Sequence, residues 1–384
     1  MKFIIRNKTL WSILTGVLAF LFALLMVGTF FAVSYASMIN KELGVSSSKV
    51  VKDENSTEDT NYYKSKFSSD EELTKWQVEL CEQIQGEGSV LVENNGALPV
   101  NKGTSVTCYG RSSADIIYGG TGSGQVDTAN AATMKKALKD AGFKVNEAML
   151  DWYSGKIDEL KTAKKDRSVA GMWTEFDAVG AATRIAEIPV SEVEASGVSL
   201  DGYKEMAIVT IGRSGGEGSD LAINEFTDGV HYFELQEEEK KLLKYVASLG
   251  FGKIVVLINS SNAMALDWLD NPEYKIDACL WIGGPGQYGM NAVAKILCGD
   301  INPSGRFVDT YSASSLSSPA MQNFGSYTYA NADKENGAYT GTIGGTTIDG
   351  VPGDMSAVRY AIHYLVEEEG IYVGYKYYET RYEA

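Results

Sequence analysis

The stretch Met206-Ala-Ile-Val-Thr-Ile-Gly-Arg-Ser-Gly-Gly-Glu-Gly-Ser-Asp220 decides the fold. Its first six residues form a near-continuous apolar run, the pattern of a strand buried on both faces. The remaining residues make a polar, glycine-rich loop, and in open α/β sheets ligands bind at such loops beyond the C-terminal strand ends. Moving outward, residues 253–258 and 278–282 repeat the apolar run. Residues 236–249 are amphipathic and end at Gly250, and residues 291–297 predict a further helix. Toward the N-terminus, 76–85 reads as a short helix and 89–92 as a small strand. Residues 105–109 form a β-rich run ending at Gly110, 134–141 is a helix closed by Gly142, and 143–145 starts another strand. Strands alternating with helices predict an α/β fold: a three-layer αβα sandwich with a mostly parallel sheet covered on both faces.

One transmembrane helix is expected before this sandwich. Lys2, Arg6 and Lys8 precede a stretch with no charged residue until Lys41. Residues 10–32, roughly 23 in number, are almost wholly apolar, long enough to cross a layer of about 30 Å. The basic residues before the span place the N-terminus in the cytoplasm and the rest outside the cell membrane. A cleavable signal peptide is the rival reading, with Ser34-Tyr35-Ala36 as its cleavage site; the apolar run is longer than the usual h-region, which favours an anchor. The organisation expected is a cytoplasmic N-terminus over 1–9, an anchor over 10–35 and a flexible polar linker over 36–72. The sandwich comes next over 73–312, and 313–384 holds inserted loops and the start of a connection onward.

Composition excludes several classes. A formal net charge of −16, with no basic stripe, argues against nucleic acid as a partner. Four scattered cysteines make no disulfide framework, and Cys108 and Cys279 sit in strand-like runs where Cys behaves as a small buried hydrophobe. Two histidines and no Cys-x-x-Cys spacing leave no metal site in view.

Two loops offer three chemistries. Gly284, Gly286 and Gly289 satisfy G-x-G-x-x-G, with Asp309 about 20 residues on, as a dinucleotide site wants. The motif comes after several strands here instead of opening the first unit, and Asn302-Pro-Ser-Gly-Arg306 interrupts it. Gly212-Arg-Ser-Gly-Gly216 fits a nucleophile elbow around Ser214, with His231 or His363 as base, but a long polar loop stands where a helix should start. In the same loop Glu217 lies between Gly216 and Gly218. Glycines let the backbone present the carboxylate to a cleft, and Arg213 and Asp220 lie close enough in sequence to adjust its pKa. A glycosidase acid needs such a carboxylate, able to protonate a leaving oxygen. A solvated surface Glu is the alternative.

Taken together the loops resemble the sandwich domain of family 3 glycoside hydrolases. The resemblance rests on Glu87-Gly-Ser-Val-Leu-Val-Glu-Asn-Asn-Gly-Ala-Leu-Pro99, Gly119-Gly-Thr-Gly-Ser-Gly124 and the Glu217 loop. It continues through Leu280-Trp-Ile-Gly-Gly-Pro-Gly-Gln-Tyr-Gly289, Gly299-Asp-Ile-Asn-Pro-Ser-Gly-Arg306 and Glu369-Gly-Ile-Tyr-Val-Gly-Tyr-Lys-Tyr-Tyr378, across 73–384. It implies retaining hydrolysis of β-linked sugars, commonly β-glucosides, with no metal or organic cofactor. Glu217 matches the family's general acid/base, and Arg213, Ser214 and Asp220 become candidate substrate-binding residues. The family nucleophile is an Asp on a (β/α)8 barrel, and no matching Ser-Asp-Trp segment occurs in this chain. Asp151-Trp152, in a linker-like helix, and Asp267-Trp268, at the start of a helix after a strand, do not qualify. A sandwich directly after the anchor resembles the permuted members, in which the barrel comes last. The expectation is a barrel downstream of Ala384 or in another chain, and little activity from this chain alone. A non-catalytic carbohydrate-binding or scaffold module is the alternative.

Overall fold

A computed structural model describes residues 8–42, 65–120, 126–162, 175–176, 183–184, 187–215, 229–314, 317–326, 341–343, 346–348 and 363–382. The chain divides into two units, Met1–Lys66 and Phe67–Ala384. In the first, helix α1 (Lys8–Ser34) is followed by the short α2 (Ala36–Glu42). Leu10–Ser34 is long and apolar enough, by length and composition, to cross a membrane.

The second unit begins a few residues earlier than the sequence pattern suggests. Helix α3 (Asp70–Gly88) starts at Asp70 because the Ser69 side chain accepts from Glu72 N, and three acidic residues sit in its first turn. Strands β1 (Val90–Asn94) and β2 (Ser105–Tyr109) come next, then the single-turn helix α4 (Arg111–Ala114). After these stand α5 (Met134–Asp140), β3 (Lys144–Val145) and α6 (Glu147–Thr162). A two-residue pair, β4 (Glu175–Phe176) and β5 (Thr183–Arg184), precedes α7 (Val190–Glu194). The long strand β6 (Met206–Arg213) is followed by α8 (Glu237–Ser248), β7 (Ile254–Ser260), β8 (Ala278–Trp281) and α9 (Met290–Leu297). Gly142 and Gly250 take positive φ, 94° and 74°, just past α5 and α8, as C-terminal glycines should.

The sheet order is β1-β8-β7-β6-β2-β3. β3, β2, β6, β7 and β8 run parallel, and β1 adds an antiparallel edge beside β8. Strand period sorts the side chains to two faces. Met206, Ile208, Val255, Leu257 and Leu280 face α5 and α9, whereas Ala207, Val209, Ile211, Val256, Ile258 and Cys279 face α6, α7 and α8. All eight residues of β6 are buried, which is why that run carries no polar alternation. Helix α6 corrects one expectation. It is no linker: Met149, Tyr153 and Ile157 pack it onto the sheet, and Asp151 pairs with Lys135 on α5. Asp267 begins a 3₁₀ turn (Asp267–Asp270) whose Trp268 is buried and donates to Ala265 O. Beyond Tyr311, where inserted loops and the start of a connection are expected, Phe324–Ser326 pairs with His363–Leu365 and Gly341–Ile343 with Thr346–Ile348.

Candidate active site

The parallel strands bring four loop starts to one rim of the sheet. Gly110 and α4 extend from β2, Gly212 to Gly215 close β6, Ser260 to Asn262 close β7, and Gly283 to Gly289 extend from β8. The rim is knitted from buried polar groups. Asn259, wholly buried near the end of β7, accepts from Ile117 N at 2.8 Å and donates to Ile117 O at 2.9 Å and Gly283 O at 2.7 Å. Ser113 Oγ lies 2.8 Å from Thr210 Oγ1. Gly110, at φ 88°, passes so near β6 that a Cβ there would stand 2.6 Å from Thr210 O. A Cβ on Gly212 would collide with the Ser112 side chain. These two glycines are needed for close approach of backbones.

Close packing accounts for Gly284 and Gly289 of the G-x-G-x-x-G match, and a positive φ for Gly286. Gly286, at φ 62°, donates its N–H to Tyr118 O at 2.7 Å, and a Cβ on Gly284 would lie 3.3 Å from the Gly119 Cα. A Cβ on Gly289 would meet Pro285 O and the Gln85 side chain. Asp309 caps Thr310 N and lies against Gly374.

Of the candidate site residues, Arg213 and Ser214 are described; Glu217 and Asp220 lie outside the described residues. Arg213 is the last residue of β6 and its side chain is wholly buried. Its Nε donates to Tyr232 O at 2.7 Å, and Nη1 to Gly212 O at 2.8 Å and Glu239 Oε1 at 2.6 Å. Nη2 donates to Glu234 O at 2.6 Å and Glu239 Oε2 at 2.7 Å. A guanidinium has five N–H donors, and all five are taken. Burial opposes the Arg213 charge, but the adjoining Glu239 carboxylate more than restores it and the pKa is raised. Ser214 is buried, and its carbonyl accepts from the Tyr232 hydroxyl. Burial pushes the Tyr232 phenol up to about 12, with Arg213 opposing.

Three groups here escape sequence reading. Glu239, in the first turn of α8, reaches back to Gln236 N at 2.8 Å in a capping box, so the Gln-x-x-Glu spacing signals the cap. Nothing in that spacing signals the ion pair with Arg213. Glu187 is buried with its carboxylate on Arg111 N, at 2.9 and 3.0 Å, and on Ile188 N at 2.9 Å. Burial, then the negative Glu239, push its pKa up to about 8 against those bonds. Asn259 is the third, and inside an apolar strand it carries no local signature at all.

Comparison with known proteins places this architecture. The Glycosyl hydrolase family 3 C-terminal domain matches residues 89–375. A beta-glucosidase of Ruminococcus albus is 29% identical over 250 residues, 64% of this chain and 24% of the relative. Beta-glucosidase A of Butyrivibrio fibrisolvens is 26% identical over 75% of this chain and 34% of its own length. Among solved structures, a beta-glucosidase from Paenibacillus barengoltzii superposes with a TM-score of 0.51 at 29% identity, covering 65% of this chain and 25% of that one. Beta-glucosidase 3B from Thermotoga neapolitana reaches a TM-score of 0.57 over 80% of this chain at 23% identity, a likeness of fold. The chain therefore spans between a quarter and about a third of the length of the relatives it matches.

Proposed function

We propose that this chain, which belongs to glycosyl hydrolase family 3 through its C-terminal domain, supplies the acid/base half of a retaining β-glycosidase site, with Glu217 as the group that moves the proton. The observation that carries this is where the Glu217 loop is rooted. It leaves the end of the central strand β6, on the rim where the loops after β2, β7 and β8 converge, four residues beyond Arg213. Glu217 protonates the glycosidic oxygen as the bond breaks, then takes a proton from the water that releases the sugar. The Ser214 hydroxyl and Asp220 are the polar groups of the loop assigned to sugar hydroxyls.

A retaining mechanism needs a second carboxylate about 5–5.5 Å away as nucleophile. We place it on a (β/α)8 barrel outside this chain, and we take the substrate to be a β-linked glycoside because the relatives are beta-glucosidases. The helix Leu10–Ser34 is assigned as a single-pass anchor that holds the domain outside the cell membrane.

The test is Glu217→Gln in the chain assembled with its barrel. Alkyl glycosides, whose leaving oxygen needs the proton, should lose about 10²–10⁴-fold in glycosylation rate, and dinitrophenyl glycosides far less. Equal losses on both substrates would remove Glu217 from the acid role.

A further inference from the structure

We infer that Glu187 is a proton-operated latch: protonated, its buried carboxyl ties residues 187–194 to the rim loop after β2, and on ionisation it lets that segment open. The inference goes beyond the acid/base reading and does not depend on it. The carboxyl is buried and holds backbone on both sides of the tie. Oε1 accepts from Arg111 N, at the first residue of α4, and from Ile188 N, both at 2.9 Å. These two bonds need only a carbonyl-type oxygen, so they survive with the proton on Oε2.

Charge balance makes Glu187 the odd carboxyl of its cluster. The ionisable groups around it are Arg111 from α4, Tyr153 from α6, Arg213 from β6 and Glu239 from α8. Arg213 is matched by Glu239 at 2.6 Å and Arg111 by Asp115 at 3.4 Å, and of these four only Asp115 has appreciable exposure. Both cations of the cluster thus already have a carboxylate. A charge on Glu187 leaves the buried cluster one negative charge in excess, whereas a proton leaves it balanced. Burial and the Glu239 charge accordingly raise the Glu187 pKa to about 8, against the two N–H bonds and Arg111. Burial, then Glu187, raise the Tyr153 phenol well above its ordinary value, so it stays neutral over the same range.

The segment is short enough to open alone. Helix α7 has five residues, of which Val190 and Val193 are buried, and Ile188 is buried before them. Two further polar ties hold it, Val190 N to Glu238 Oε2 at 3.1 Å and Lys156 Nζ to Glu192 Oε2 at 2.5 Å. Glu238 is held low, first by its Lys241 bond, and Lys156 is held high by its Glu192 bond. Neither changes charge between about pH 6 and 8, which leaves that range to Glu187.

Amide hydrogen exchange in the full chain reads the latch directly at Arg111 and Ile188, whose N–H groups donate to the carboxyl. The opening constant is the observed exchange rate divided by the intrinsic one. At these two amides it should rise about ten- to fiftyfold from pH 6 to 8 and level off above, because a carboxyl released to water is ionised throughout that range. Amides of β6 and β7 open only with the whole domain, and should stay at least about a hundredfold better protected at every pH. In Glu187→Gln the opening constant at pH 8 should remain at the wild-type level of pH 6. A flat profile in the wild type, a rise that Glu187→Gln retains, or opening no easier than that of β6 and β7 would overturn the latch. Should Glu187→Gln fail to fold, the wild-type profile decides: a rise that levels near pH 8 supports the latch, and a flat or falling one refutes it.

Discussion

Glu187→Gln should abolish a specific loss of stability between pH 4.5 and 8. The Glu187 carboxyl is buried and its pKa is raised to about 8, first by burial and second by the negative charge of Glu239. The unfolded chain gives up this proton near the ordinary value, whereas the folded chain keeps it. Across the window the folded state therefore binds more protons, and stability must fall as pH rises, levelling off above about 8. At about 1.4 kcal/mol per pH unit, the interval from 4.5 to about 8 caps the effect near 5 kcal/mol, and relaxation with water entry brings the expected loss to ~2–4 kcal/mol. Glutamine imitates the neutral acid. Its Oε1 can accept from both Arg111 N and Ile188 N, and its amide nitrogen replaces Oε2, whose bond from Arg111 N is the longer at 3.0 Å. The assay is urea unfolding from pH 4.5 to 8.5, read as the difference between wild type and variant at each pH, so that other titrating groups cancel. The variant should gain on the wild type steadily across the window. A flat difference, or one that falls with pH, would refute a buried neutral carboxyl at this position.

Asn259→Leu should lower unfolding free energy by about 3 kcal/mol or more, seen in thermal or urea denaturation, because Ile117 N–H and two carbonyls lose their partner in a buried site. Gly212→Ala should cost ~2–4 kcal/mol in the same assay, since its Cβ meets the Ser112 side chain between two packed elements. Iodoacetamide at pH 8 should label Cys81 and Cys298, which are half-buried, and spare Cys279 and Cys108, which are buried, the latter with its thiol pushed up to about 12 by burial.

The order of strands and helices was written in the sequence because apolar runs and capping residues are local. Met206 to Ile211 announces a doubly buried strand, and Gly142 and Gly250 mark the ends of their helices. The glycine-rich loops and their spacing likewise carried the family, and with it the candidate Glu217, since a loop motif survives as a string of residues. What the string could not hold is any pairing across the chain. Arg213 reads there as a charge beside Glu217, free to reach a sugar. Only the fold brings Glu239, Tyr232 and Glu234, between 19 and 26 residues away, around its five donors. Glu187 reads as one more acidic residue until it is buried 76 residues from the Arg111 N–H that it accepts. Hydrophobic period is a property of neighbours in sequence, whereas the worth of a buried charge is set by neighbours in space, and those exist only once the sheet has closed its layers.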